Sequence, residues 1–205
     1  MTNKEIIAEL RKPVVPFNGK KMPLSLYGSF ALGTYGEKDV ILTDEEIEAG
    51  MTDKYMIVFL NMSAPVRKEW GNFHYKEKTG RGGSDGAKNL YPLFERFPEL
   101  KGSYMTDFYK GRITPDEGGL EKEMAEQNPK ERAEYEQVCI DLLRKEIEIM
   151  GNDQIVILAA GKKVAEALKG HFPYRRVCHC SNQALHRFLK NDYETWRMAI
   201  EGEPR

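Results

Sequence analysis

With 205 residues, 40% of them apolar and 31% charged, ten tyrosines, nine phenylalanines and a net charge of −1, the chain has the make-up of an ordinary globular protein and not of a disordered one. Its length suits a single domain over residues 1–205, long enough to bury a core without disulfide or metal support. No apolar run nears the roughly 18 residues of a membrane helix, and the polar stretch Met1–Leu10 does not read as a secretory leader, so the expected setting is the cytoplasm with no membrane partner.

Thr2-Asn3-Lys4-Glu5 has capping-box spacing and predicts a short helix with Ile6, Ile7 and Leu10 on its inner side, stopped by Pro13 and Pro16. Residues 13–40 are rich in Gly and Pro and read as an irregular or hairpin-like part of an N-terminal lead-in over residues 1–50. Thr43-Asp44-Glu45-Glu46 repeats the box and predicts a brief helix ending near Gly50. The run Tyr55–Leu60 is a buried strand that stops at Asn61, in the stretch Met56–Pro65. From Met62 to Asp85 a long loop carries five basic residues together with Trp70-Gly71-Asn72-Phe73-His74, and loops of that length in a compact domain are usually functional or disordered.

Leu90, Leu93, Phe94 and Phe97 form one stripe of the next helix, and Gly102–Tyr109 alternates as a second strand ending at Thr106-Asp107. A polar connection through Gly118-Gly119 leads to Asn128-Pro129, an N-cap and N1 pair that opens a long helix to Gly151. Gln154–Ala160 is a continuous apolar run, the mark of a central parallel strand, and a helix begins at Gly161-Lys162-Lys163. Arg175–Cys178 is the last strand, ending at His179-Cys180-Ser181, and a final helix runs from about Gln183 with Leu185, Phe188, Trp196 and Ile200 inward. Four alternations of strand and helix predict a three-layer α/β/α domain with a mainly parallel sheet, and ligands of such sheets sit at the carboxyl ends of the strands.

Cys139, Cys178 and Cys180 have no framework of spacings and are expected to be thiols. Cys178-His179-Cys180 invites a metal reading, but alternate strand residues point to opposite faces, so the three would not chelate together, and neither metal nor cofactor is expected. Charge is uneven: residues 62–112 carry ten Lys and Arg against six Asp and Glu, residues 161–190 seven against one, and residues 113–153 five against twelve. Two basic segments meeting at one sheet edge, with the acidic helix behind, would suit an anionic partner; solvated faces are the plain alternative.

The strand ends present Asn61, Thr106-Asp107, Ala160-Gly161 and His179-x-Ser181 in order. An asparagine ending the first strand, Asn72-Phe73-His74 about a dozen positions later, and His179-Cys180-Ser181 after the last strand resemble the motifs of the uracil-DNA glycosylase superfamily, nearest its thymine and mismatch-specific branch. The resemblance spans roughly Tyr55–Ile200; Met62 stands where that branch has Pro, and Cys180 replaces the Pro of its last motif. It implies a uracil-DNA-glycosylase-like fold, DNA as partner and hydrolysis of an N-glycosidic bond. By that resemblance Asn61 holds the attacking water, Phe73 stacks on the flipped base beside Asn72 and His74, His179 binds the base O2, and Ser181 pinches a backbone phosphate. Asp107 reads as a general base or base-reading group, or as a strand-end carboxylate bonded to nearby backbone. Two other readings stay open: a catalytically silent nucleic-acid or nucleotide binder of the same fold, and a Rossmann-like enzyme whose Lys162-Lys163 helix start takes a phosphate.

Overall fold

Two Thr-x-x-Glu boxes start the first helices. In the computed structural model, which describes residues 1–33, 41–62, 68–71, 87–114, 117–180 and 192–202, the Thr2 side chain accepts from the Glu5 N–H while the Glu5 carboxylate takes the Thr2 N–H. Helix α1, Asn3–Leu10, turns Ile6, Ile7 and Leu10 inward. Thr43 and Glu46 repeat the arrangement at α2, Asp44–Gly50. Between them β1 (Pro13–Phe17) and β2 (Lys20–Pro23) pair antiparallel. Asn18 and Gly19, both at positive φ, make the turn, which is the pairing that tight hairpins favour.

The main sheet has five strands, β3 (Gly28–Phe30), β4 (Thr52–Met62), β5 (Ser103–Ile113), β6 (Val156–Ala160) and β7 (Arg175–Val177), in the order β3-β5-β4-β6-β7. The last four run parallel and β3 lies antiparallel against β5. Three residues led by a glycine are too few for a strand pattern, so β3 is an addition that the sequence reading placed only in an irregular segment. Helices α3 (Ala87–Arg96), α4 (Glu117–Glu126), α5 (Pro129–Met150), α6 (Lys162–Leu168) and α7 (Asp192–Glu201) complete the described elements. Helix α4 stands where a polar connection was expected. Its Leu120 and Met124, one turn apart, are both buried, and that burial offsets the backbone entropy of Gly118 and Gly119 in its first turn.

Alternation along β4 explains why its sequence is an unbroken apolar run. Met56 and Val58 enter one core cluster with α1, α5 and α6, while Tyr55, Ile57 and Phe59 enter another with α3 and α7. Helices therefore flank both faces of the sheet. From β4 the chain crosses by α3 to β5 on one side, then returns by α5 over the opposite face to β6 on the other side. The strand order thus reverses between β4 and β6, at the edge where all four parallel strands end.

Candidate functional site

Asn61 lies at the carboxyl end of β4, half-buried, on the side of the sheet to which Phe59 points. Its amide is oriented by Thr114: Nδ2 donates to Thr114 Oγ1 at 2.8 Å and lies 3.5 Å from the Thr114 carbonyl. A carbonyl only accepts, so the NH2 half of the amide must face Thr114 and Oδ1 must face the other way. Thr114, 2% exposed, reaches this place because β5 bulges. Asn61 pairs with Tyr109, but the next residue of β4 pairs with Ile113, which loops out Lys110, Gly111 and Arg112, with Gly111 at φ +78°. Sequence reading had no access to this contact across 53 positions.

His179 follows β7 two strands away on the same edge. Its ring meets Phe59 edge to face, with centroids 5.9 Å apart at 86°. Gly161, closing β6 at φ +107°, lies beneath: a Cβ there would stand 3.5 Å from the His179 Cβ. The β7 exit is fixed from α7, where Thr195 Oγ1 accepts from the Cys178 N–H at 2.9 Å and Trp196 Nε1 donates to the Cys178 carbonyl at 3.1 Å. Asn89, in the first turn of α3, donates to the Cys180 carbonyl at 2.9 Å. Phe59, two residues before Asn61 on the same face of β4, thus meets His179 across the point where the strand order reverses.

Asp107 is the register partner of Phe59, so it faces the same side, but it is fully buried. Beside it lies a buried polar group that the sequence reading did not assemble. Glu146 of α5 accepts at Oε1 from Tyr104 Oη (3.0 Å) and Thr106 Oγ1 (2.8 Å). Lys110 Nζ lies 2.8 Å from Glu146 Oε2, as an ion contact outside good hydrogen-bond angles, and donates to the Asp107 carbonyl at 2.6 Å. Burial first, then the Glu146 charge, drives the Tyr104 phenol well above its ordinary value. Burial, followed by the Asp107 charge, pushes Tyr27 up to about 12. Lys110 belongs to the bulge that delivers Thr114, so this ion pair staples the backbone on which the Asn61 contact depends.

Of the predicted site residues, Asn61 and His179 share this edge and face; Asp107 does not end its strand as expected, because β5 continues to Ile113 and leaves it fully buried in mid-strand. Asn72, Phe73, His74 and Ser181 lie outside the described residues. Trp70, next to that group in sequence, is a core side chain at φ +56° packed on Phe30 with centroids 5.7 Å apart, so it is an anchor and not a site residue. Lys162 and Lys163 face Glu166 and Glu121 respectively, and α6 is only two turns long, which leaves little for a phosphate at its start. The three cysteines are free thiols, Cys139 and Cys180 buried and Cys178 half-buried. Among the described residues no three His, Cys, Asp or Glu side chains converge as metal ligands, and no helix is long and apolar enough to cross a membrane. Comparisons with protein-family models, with curated proteins and with solved structures found no match.

Proposed function

We propose that the protein is a uracil-DNA-glycosylase-like three-layer α/β/α domain that binds a flipped nucleobase at the carboxyl edge of its sheet and hydrolyses the N-glycosidic bond. One observation carries the reading: Asn61, near the end of β4, and His179, just after β7, bracket the strand-order reversal on the face to which Phe59 points, and Phe59 meets the His179 ring. That is where open α/β sheets hold ligands.

The chemistry asks little of each group. A water held by the Asn61 carbonyl oxygen attacks C1′; the C–N bond breaks and its electron pair leaves on the base. The developing charge on the base oxygen is stabilised by an N–H of His179, and the proton released by the water ends on the departed base. The Thr114 contact supports the Asn61 role, because it fixes the amide with Nδ2 on Thr114 and Oδ1 on the opposite side. In this reading Phe73 stacks on the base with Asn72 and His74 near it, and Ser181 holds a backbone phosphate. Extruding the base costs a few kcal/mol of stacking, which aromatic contact partly returns.

The test is release of free base from oligonucleotides carrying uracil and a panel of deaminated or damaged bases. Wild-type protein is expected to release at least one of them without added metal or cofactor. Asn61→Ala or His179→Ala is expected to lose roughly 10²–10³-fold in rate, the usual cost of removing one positioned polar group. If pure, folded protein releases no base from the panel, the catalytic reading fails.

A further inference from the structure

A cleft of about 620 Å³ runs along β7 between α6 and α7. Its charged lining among the described residues is one-sided: Lys162, Lys169, Arg175 and Arg176 against the single carboxylate Glu166. Glu166 is engaged with Lys162 at 3.5 Å. Arg175 donates from Nη1 to the Ala199 carbonyl at 2.5 Å, so it closes the end of α7 without neutralising a carboxylate. Lys169 and Arg176 are exposed, and neither meets a carboxylate among the described residues.

We propose that this cleft holds the sugar-phosphate backbone of one DNA strand and leads it to His179; the choice of DNA as the polyanion rests on the nucleobase reading above. β7 is the outermost strand of the described sheet, and the helices on its two sides pack on opposite faces, so the cleft wraps an open edge. Its upper end lies beside the site, because Lys162 follows Gly161, at which a Cβ would stand 3.5 Å from the His179 Cβ. The lengths also agree. Strand β7, Arg175–Val177, is three residues, about 10 Å. Helix α6, Lys162–Leu168 with Lys169 as its C-cap, is seven residues, again about 10 Å. That is the run of about three nucleotides, at roughly 3.4 Å each along one strand. Edge strands are often guarded by charge, which would account for Arg176. It does not account for Lys169, which stands at the end of a separate helix forming the opposite wall.

The experiment measures affinity of the full chain for a fluorescent duplex carrying one uracil, as a function of salt. Each phosphate contact contributes about 0.9 to the slope of log K against log salt, so the Lys169→Ala, Arg176→Ala double variant is expected to lose about 1.8 from the slope. At 0.1 M salt this corresponds to roughly eightfold weaker binding per cation. Lys130→Ala, on the exposed start of α5, serves as control and is expected to leave the slope unchanged. Melting curves of the exposed-site variants verify that they are folded. An unchanged slope in the double variant overturns the cleft, and base release measured on the same samples then judges the nucleobase reading by itself. A reduced slope with no base released by wild-type protein keeps the cleft and removes the catalysis. Displacement of the duplex by polyglutamate at equal charge concentration, or no affinity for DNA in wild-type protein, overturns the assignment to nucleic acid.

Discussion

Replacing Glu146 by glutamine separates the charge of the buried network from its hydrogen bonds. The introduced amide would keep a carbonyl oxygen for Tyr104 Oη and Thr106 Oγ1, so those two donors stay satisfied. What the change removes is the negative charge 2.8 Å from Lys110 Nζ, at a place where both side chains have no exposure. Breaking a buried pair by neutralising one partner typically costs about 3–5 kcal/mol, because the other charge stays buried and uncompensated. For a chain of this size, where about 1 kcal/mol moves the melting temperature by roughly 2–4 °C, the variant should melt roughly 6–20 °C lower. The double variant Lys110→Met, Glu146→Gln removes both charges and forfeits mainly the Lys110 bond to the Asp107 carbonyl, about 1 kcal/mol. It should therefore be more stable than the single Glu146→Gln variant. Urea denaturation of wild type, the two single variants and the double variant at pH 7 gives the coupling directly. A Glu146→Gln variant within about 1 kcal/mol of wild type, or single costs that simply add in the double variant, would refute the reasoning.

Three further expectations rest on local geometry. Thr114→Val removes the hydroxyl that orients the Asn61 amide, and should reduce base release roughly tenfold or more while Thr114→Ser retains it, read as the rate constant under single-turnover conditions. Gly102 sits at φ +78° and a Cβ there would stand 2.0 Å from the Gly50 carbonyl oxygen, so Gly102→Ala should destabilise the fold by more than the roughly 1 kcal/mol of a conformational effect alone, measured by thermal melting. Burial pushes the Cys180 thiol up to about 12, so it stays protonated in the fold after the unfolded chain begins to ionise near about 8.5. Stability from this group is full below that pH and falls as pH rises towards 12, by at most about 1.4 kcal/mol per unit, and Cys180→Ala should flatten the decline of the melting temperature between about pH 8.5 and 10.

Local signals in the sequence carried the fold a long way. The capping boxes at Thr2 and Thr43, the Asn128-Pro129 start and the apolar run to Ala160 are each decided by neighbours a few residues apart, and each element stands where they put it. What escaped was decided at long range. β3 exists because Gly28–Phe30 meets the edge of β5, and α4 because Leu120 and Met124 find a surface to cover. The same holds at the site. That Asn61 and His179 lie at or just past strand ends was legible from the runs before them; that Phe59 meets His179, and that Thr114 orients the Asn61 amide, depends on sheet order and on a bulge. Nothing local in the sequence singles out Lys110 or Glu146, and only the tertiary fold buries them together.

The claim at the centre of this account is that Asn61 and His179 serve one nucleobase. Heteronuclear NMR of isotope-labelled protein, following the Asn61 side-chain amide and the His179 imidazole during titration with an oligonucleotide carrying a single uracil, addresses it directly. Both signals should move together, saturating at one equivalent, and stay in place with the same oligonucleotide carrying cytosine instead. If uracil-containing DNA leaves both unmoved, or shifts only one of them, the two residues do not form a common base-binding site.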